Sequence, residues 1–332
     1  MWLNRYARLV AASTLVLIVA GAMVTSTGSG LAVPDWPTTY GYPMFAFPLR
    51  HMVGGIFYEH GHRLIATVVG LLTIGLAAWL AWREPRRWVR RLGWTALAAV
   101  VLQGALGGIT VLYFLPAPVS IAHAALAQIF WCLVVTLAVV TSDGWRRAAG
   151  MVDDARLRRL ARAVVAAVYL QILLGAAVRH TGAGLAIPDF PLAFGRLLPP
   201  RWDGAIALHF AHRLGALVVT ALVLALVWRV RGVHRATREL TRPAGLLAGL
   251  VVAQALIGGW VVWSRRGIYV NSLHVATGAL VLGTALLLAL RAHRVLFARD
   301  DGRAASAPVR APDLSGRPTE RAGPFVTQAE PS

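Results

Sequence analysis

Long apolar runs constrain this chain more than any other feature. Eight stretches, roughly 9–27, 57–82, 92–113, 119–141, 160–179, 206–230, 244–264 and 270–291, are dominated by Leu, Val, Ala, Ile and Gly. Each approaches or exceeds the roughly 18 residues that suggest a helix crossing a bilayer. In hydrocarbon every backbone polar group must be paired internally, which a helix does within one segment. The 332-residue chain is 57% apolar and only 14% charged, less charged than a soluble protein of this size. The expectation is an all-α integral membrane protein of eight transmembrane helices, with the lipid bilayer as its surroundings.

Charge sets the orientation. Every basic side chain other than histidine is arginine, and the net charge is +19. Arginines crowd alternate loops: Arg83 to Arg91, Arg146 to Arg162, and Arg229 to Arg242, with Arg5 and Arg8 ahead of the first run. By the positive-inside rule these loops and both termini are cytoplasmic, at the inner membrane of the cell. No basic recognition motif is present, so nucleic acid is not expected as a partner. The run after Arg8 reads as a retained first helix, not a cleaved signal, because it continues into a repeated loop motif. A single cysteine, Cys132, excludes an intramolecular disulfide and a cysteine metal cluster.

That loop motif belongs to an internal repeat. Gly21 to Gly41, GAMVTSTGSGLAVPDWPTTYG, matches Gly175 to Gly195, GAAVRHTGAGLAIPDFPLAFG. Gln103 and Gly107-Gly108 match Gln254 and Gly258-Gly259; His62 matches His212 and His123 matches His274. Four helices per half give both halves the same topology. The predicted architecture is two tandem four-helix bundles, 1–150 and 151–295, related by a pseudo-two-fold along the membrane normal. Residues 296–332, rich in Pro, Ala, Gly, Ser and Arg, are expected to form a disordered cytoplasmic tail. Asp35 and Trp36, with Asp189 and Phe190, read as a lid at the outer interface, or, equally, Trp36 reads as an interfacial anchor.

The repeat concentrates chemistry near the outer face. His62, His123, His212 and His274 each fall in the first turns of a helix running inward, at similar depth. Each half therefore holds two histidines on two helices, the ligand set of a haem iron placed between helices of a bundle. Any one of them alone is read more simply as a histidine hydrogen-bonded between helices; four in matched pairs are not. His51, His60, His180, His234 and His293 read as solvent-facing or structural. Arg63 and Arg213 follow the first histidine of each pair and suit haem propionates, or, for Arg63, an i,i+4 pair with Glu59. Glu59 is the asymmetric residue, since His209 takes its place in the second half. An acid one turn from a haem ligand can move protons or stabilise developing positive charge; a structural salt bridge with Arg63 is the alternative. This asymmetry makes the first half the reacting one and the second an electron-transfer half.

These residues resemble a known family. E-x-x-H-R at Glu59–Arg63, HAALAQ at His123–Gln128, HRLG at His212–Gly215, H-x-x-x-G at His274–Gly278 and the loop TSTGSGLAVPDWP are similar to the haem A synthase family, over roughly 9–291. The resemblance implies an oxidoreductase that converts the C8 methyl of haem O to a formyl group by successive hydroxylations, with water as oxygen source, giving haem A for cytochrome oxidases. It implies a haem b cofactor on His212 and His274, and substrate haem O at His62 and His123 beside catalytic Glu59. A haem O synthase is then the expected donor, and the electron acceptor and any homo-oligomer are left open. Many bacterial members carry a cysteine pair in the first outer loop. Val33 and Thr39 stand at those positions here, and Ile187 and Ala193 in the second half, so no thiol chemistry is implied there. The competing readings are a di-haem b-type membrane electron carrier, which leaves Glu59 unexplained, and a transporter or haem chaperone, supported mainly by the repeat.

Overall fold

The computed structural model describes residues 1–147, 151–300 and 309–310, with side chains at 298–300 and 309–310 outside the description. Among the described residues eight helices are each long and apolar enough to cross a membrane. They are α1 (Trp2–Ser26), α2 (Gly54–Arg83), α3 (Arg87–Leu112), α4 (Ala117–Val140), α6 (Ala155–His180), α7 (Gly204–Val233), α8 (Arg238–Trp263) and α9 (Ile268–Asp300). A one-turn helix α5 (Asp143–Arg146) lies in the loop between the halves, and β1 (Val152–Asp153) pairs in parallel with β2 (Val309–Arg310). The protein is a multi-pass membrane protein.

The helices outrun the apolar stretches that predict them. α1 starts at Trp2 rather than residue 9, α6 at Ala155 rather than 160, and α8 at Arg238 rather than 244. Hydropathy sees only the part of a helix that lies in hydrocarbon. The arginine-bearing ends continue the same hydrogen-bonded ladder beyond it, where long side chains reach water. α8 even carries Pro243. That ring removes the donor that would pair with the carbonyl four residues back, and Arg291 Nη1 of α9 donates to that carbonyl, on Glu239. The expected tail boundary at 296 is also too early: α9 runs to Asp300. Of the rest of the expected tail, all but Val309–Arg310 lies outside the described residues.

Within each half the helices pack in a ring: α1 on α2, α2 on α3, α3 on α4 and α4 back on α1, then α6 on α7, α7 on α8, α8 on α9 and α9 back on α6. The halves join through α1–α9, α4–α9 and α4–α6. α9 is thus the central helix. In its most apolar stretch 56% of the residues are buried, against at most 33% in the other seven helices. Lipid tails are as apolar as leucine, so close packing and interhelical hydrogen bonds hold such helices together. The α4–α9 seam shows both. Trp131 Nε1 donates to Ala279 O at 2.8 Å, and the same indole lies against Gly283.

Each half is pinned at its arginine-rich end by one buried acid. Glu84 accepts from Arg86 at 2.6 Å and Arg146 at 3.1 Å. Asp154 caps α6 through Leu157 N–H at 3.0 Å and meets Arg229 at 3.0 Å and His234 at 2.8 Å. Burial works against the Asp154 carboxylate, yet these donors hold its pKa down at about 2. His234, expected to be solvent-facing or structural, is structural and buried.

Candidate haem-ligand sites beneath the repeated loops

Both copies of the repeated loop fold around an aspartate. Asp35 accepts the N–H groups of Tyr40 at 2.7 Å and Gly41 at 2.9 Å; Asp189 accepts those of Phe194 and Gly195, both at 2.7 Å. Gly41 and Gly195 take φ of 78° and 73°, which glycine adopts without penalty. Although burial raises it, the N–H of Gly41, the Thr38 hydroxyl and the N–H of Tyr40 hold the Asp35 pKa at about 2. Trp36-Pro37 and Phe190-Pro191 are cis.

Each loop is then clamped to the helix that carries the first histidine. Arg63 Nη1 donates to Asp35 O at 2.7 Å and Thr38 O at 3.1 Å, and Nη2 to Val33 O at 2.8 Å. Arg213 does the same with Leu192 O, Asp189 O and Ile187 O. Glu59, 3% exposed, completes the first clamp: Oε2 accepts Val33 N–H at 2.8 Å and Oε1 accepts Arg63 Nη2 at 2.6 Å. His209 meets the equivalent loop N–H, of Ile187, through Nδ1 at 3.3 Å. Glu59 and His209 thus share one mechanical task, and only Glu59 adds a negative charge. His60, read as solvent-facing or structural, is structural and 1% exposed: Nδ1 lies 2.9 Å from Thr39 Oγ1 and the ring packs on Phe47. Val33, Thr39 and Ile187 are fully buried and Ala193 nearly so, which places the positions set against the cysteine pair in packing contacts.

The four histidines each lie on a glycine of a neighbouring helix. A Cβ added to Gly21 or Gly175 would stand 3.0 Å from Cε1 of His62 or His212. One added to Gly107 would meet His123 at 3.3 Å, and one on Gly258 would meet His274 at 3.1 Å. The second glycine of each pair takes a loop aromatic instead, Trp36 on Gly108 and Phe190 on Gly259. Trp36 stays 41% exposed in this packing. Gln103 and Gln254 each donate to the backbone oxygen of their histidine, His123 and His274, at 3.0 Å. Gln171 donates to His212 O at 2.7 Å and lies 3.0 Å from its Nδ1. The first half has no such group, because Leu17 stands at the matching repeat position.

This arrangement fits a haem held by two imidazoles. The His212 and His274 ring centroids are 6.5 Å apart. Two imidazoles sharing one metal, with bonds of about 2 Å as in other histidine sites and about 1 Å more from nitrogen to ring centre, give nearly that separation. Nδ1 of His62 and of His274 is buried without a hydrogen-bond partner, and buried polar atoms left so call for an explanation such as an absent group. Among the described residues no cluster of three or more His, Cys, Asp or Glu could hold a bare metal ion. Paired imidazoles suit iron whose other positions come from a macrocycle.

Residues 4–286 match the family model described as COX15-CtaA, cytochrome oxidase assembly protein. The chain belongs to this family. It is 33% identical to the haem A synthase of Symbiobacterium thermophilum, an alignment covering 74% of this chain and 82% of that one. It is 32% identical to the haem A synthase of Shouchella clausii, over 78% and 86%, and 30% identical to that of a Methylobacterium species, over 85% and 90%. The COX15-CtaA match spans both histidine pairs, both repeated loops and Glu59, so the described site lies wholly inside it.

Sequence reasoning missed the seam between the halves. Arg179 of α6 donates to Ala22 O and Ser26 Oγ of α1, and Ser26 also receives Asn271 and Ser272 of α9. The available signal was an arginine at the very end of an apolar run, a place occupied by Thr25 in the first half.

Proposed function

We propose that this protein is a haem A synthase that oxidises the C8 methyl of haem O to a formyl group. With water as the oxygen source the conversion releases four protons and four electrons, so the site needs a proton acceptor, and the electrons pass to an acceptor outside the chain. His212 and His274 hold haem b, which supplies an electron-transfer centre. His62 and His123 hold the substrate. Glu59 takes up protons beside the substrate, and its clamp to Val33 and Arg63 fixes where the carboxylate stands. Among the described residues the Nε–H groups of Arg63 and Arg213 are donors left for propionates. The inner membrane of the cell, cytoplasmic termini, outward-lying haem sites and a haem O synthase as donor belong to the same reading.

The observation that carries it is the duplicated imidazole pair, each ring on its own glycine, with an acid in one half only. The test is extraction and chromatography of bound haems after co-expression with a haem O synthase. Haem A beside haem b is expected. Haem b alone, with haem O untouched in the membrane, overturns the reading. One observation favours a di-haem electron carrier: Glu59 and His209 do the same mechanical work on their loops, which gives Glu59 a purpose without catalysis. The same extraction separates the two.

A further inference from the structure

We propose that Arg179 binds a carboxylate of the haem held by His212 and His274, an assignment that rests on the function proposed above. Arg179 sits on the last turn of α6, where three helices meet. Its Nη2 donates to Ala22 O at 2.6 Å and Ser26 Oγ at 2.9 Å on α1. Ser26 Oγ is held in turn by Asn271 Nδ2 at 3.2 Å and Ser272 Oγ at 3.0 Å on α9. Nη2 is therefore fixed in position, and Nε of this half-buried residue is itself buried with no hydrogen-bond partner.

No acidic side chain pairs with Arg179 among the described residues. Its titratable neighbours include Arg266, His180 and His274, none of them an anion. A buried charge without a counter-ion costs several kcal/mol, and at a helix end facing a ligand site this points to an anion that arrives with the ligand. Arginine presents a planar fork that matches a carboxylate. A lipid phosphate carries the same kind of charge. Proximity to His274 favours the haem carboxylate, and the anchor on α1 ties this haem to the half that holds the substrate.

The test uses purified full-length protein with haem b bound, in wild-type, Arg179→Gln and Arg179→Lys forms. Two quantities are read: the midpoint potential of haem b and its rate of transfer to apomyoglobin. Arg179→Gln lowers the potential, because loss of a positive charge favours ferric iron, and speeds haem transfer about 10- to 100-fold. Arg179→Lys restores part of both. Ser26→Ala, which loosens the clamp and keeps the charge, gives a smaller shift in the same direction. Reconstitution with the dimethyl ester of haem b abolishes the difference in haem transfer rate between wild type and Arg179→Gln. Unchanged potential and transfer rate in Arg179→Gln overturn the proposal, as does a transfer-rate difference that persists with the ester, which would assign Arg179 to a headgroup phosphate. A wild-type protein that binds no haem b overturns the underlying reading and this one with it.

Discussion

Trp36 lies on Gly108 so closely that a Cβ there would stand 2.5 Å from the indole. The loop between α1 and α2 is thereby seated on α3, one residue beyond the glycine that receives His123. Gly108→Ala is expected to expel Trp36 and destabilise the protein by about 1–3 kcal/mol, the usual cost of overpacking. Thermal unfolding in detergent checks this. Gly61→Ala, where an added Cβ meets nothing within 4 Å, is the control and leaves the transition in place.

Removing ligands separates the two halves. His212→Ala and His274→Ala are expected to lose haem b, whereas His62→Ala and His123→Ala keep it and lose bound haem O and haem A. Extracted haem per protein measures the difference. Equal loss of haem b from all four variants contradicts the division of labour between the pairs.

Glu59→Gln keeps the shape of the side chain and an acceptor for Val33 N–H while removing the charge. Turnover of haem O is expected to fall about 10²- to 10⁴-fold, the range for a lost general base, with haem content unchanged. Conversion at the wild-type rate assigns Glu59 to the loop clamp alone.

Asp154 predicts an acid-side weakness. Its folded pKa is about 2 against an ordinary 3.8. A carboxyl depressed by folding contributes stability that is fully present above the ordinary value and is lost as pH falls through the folded one. Stability is therefore expected to decline between about pH 4 and 2. Asp154→Asn should cost about 3–5 kcal/mol at neutral pH, because Arg229 and His234 lose a buried partner, and should flatten that decline. Unfolding followed by circular dichroism across the range tests both.

The membrane class, the eight helices and the pairing of repeated residues were determined by the sequence alone. Hydropathy and periodicity are local properties of the chain, and bilayer thickness converts them into elements without reference to partners. The four histidines could be paired for the same reason, since a repeated motif carries its depth with it. Which surface each ring rests on was a tertiary matter. The contacts of His62 with Gly21, Trp36 with Gly108 and Glu59 with Val33 join residues far apart along the chain, and no local pattern encodes them. The same holds for Arg63, whose choice among Glu59, a propionate and three loop carbonyls depended on where the loop folded back. Arg179 is the strongest case. Its sequence position says only that it ends a helix, while the packing of α1, α6 and α9 buries its Nε near His274 without an acidic partner among the described residues, because burial is a property of the assembled bundle.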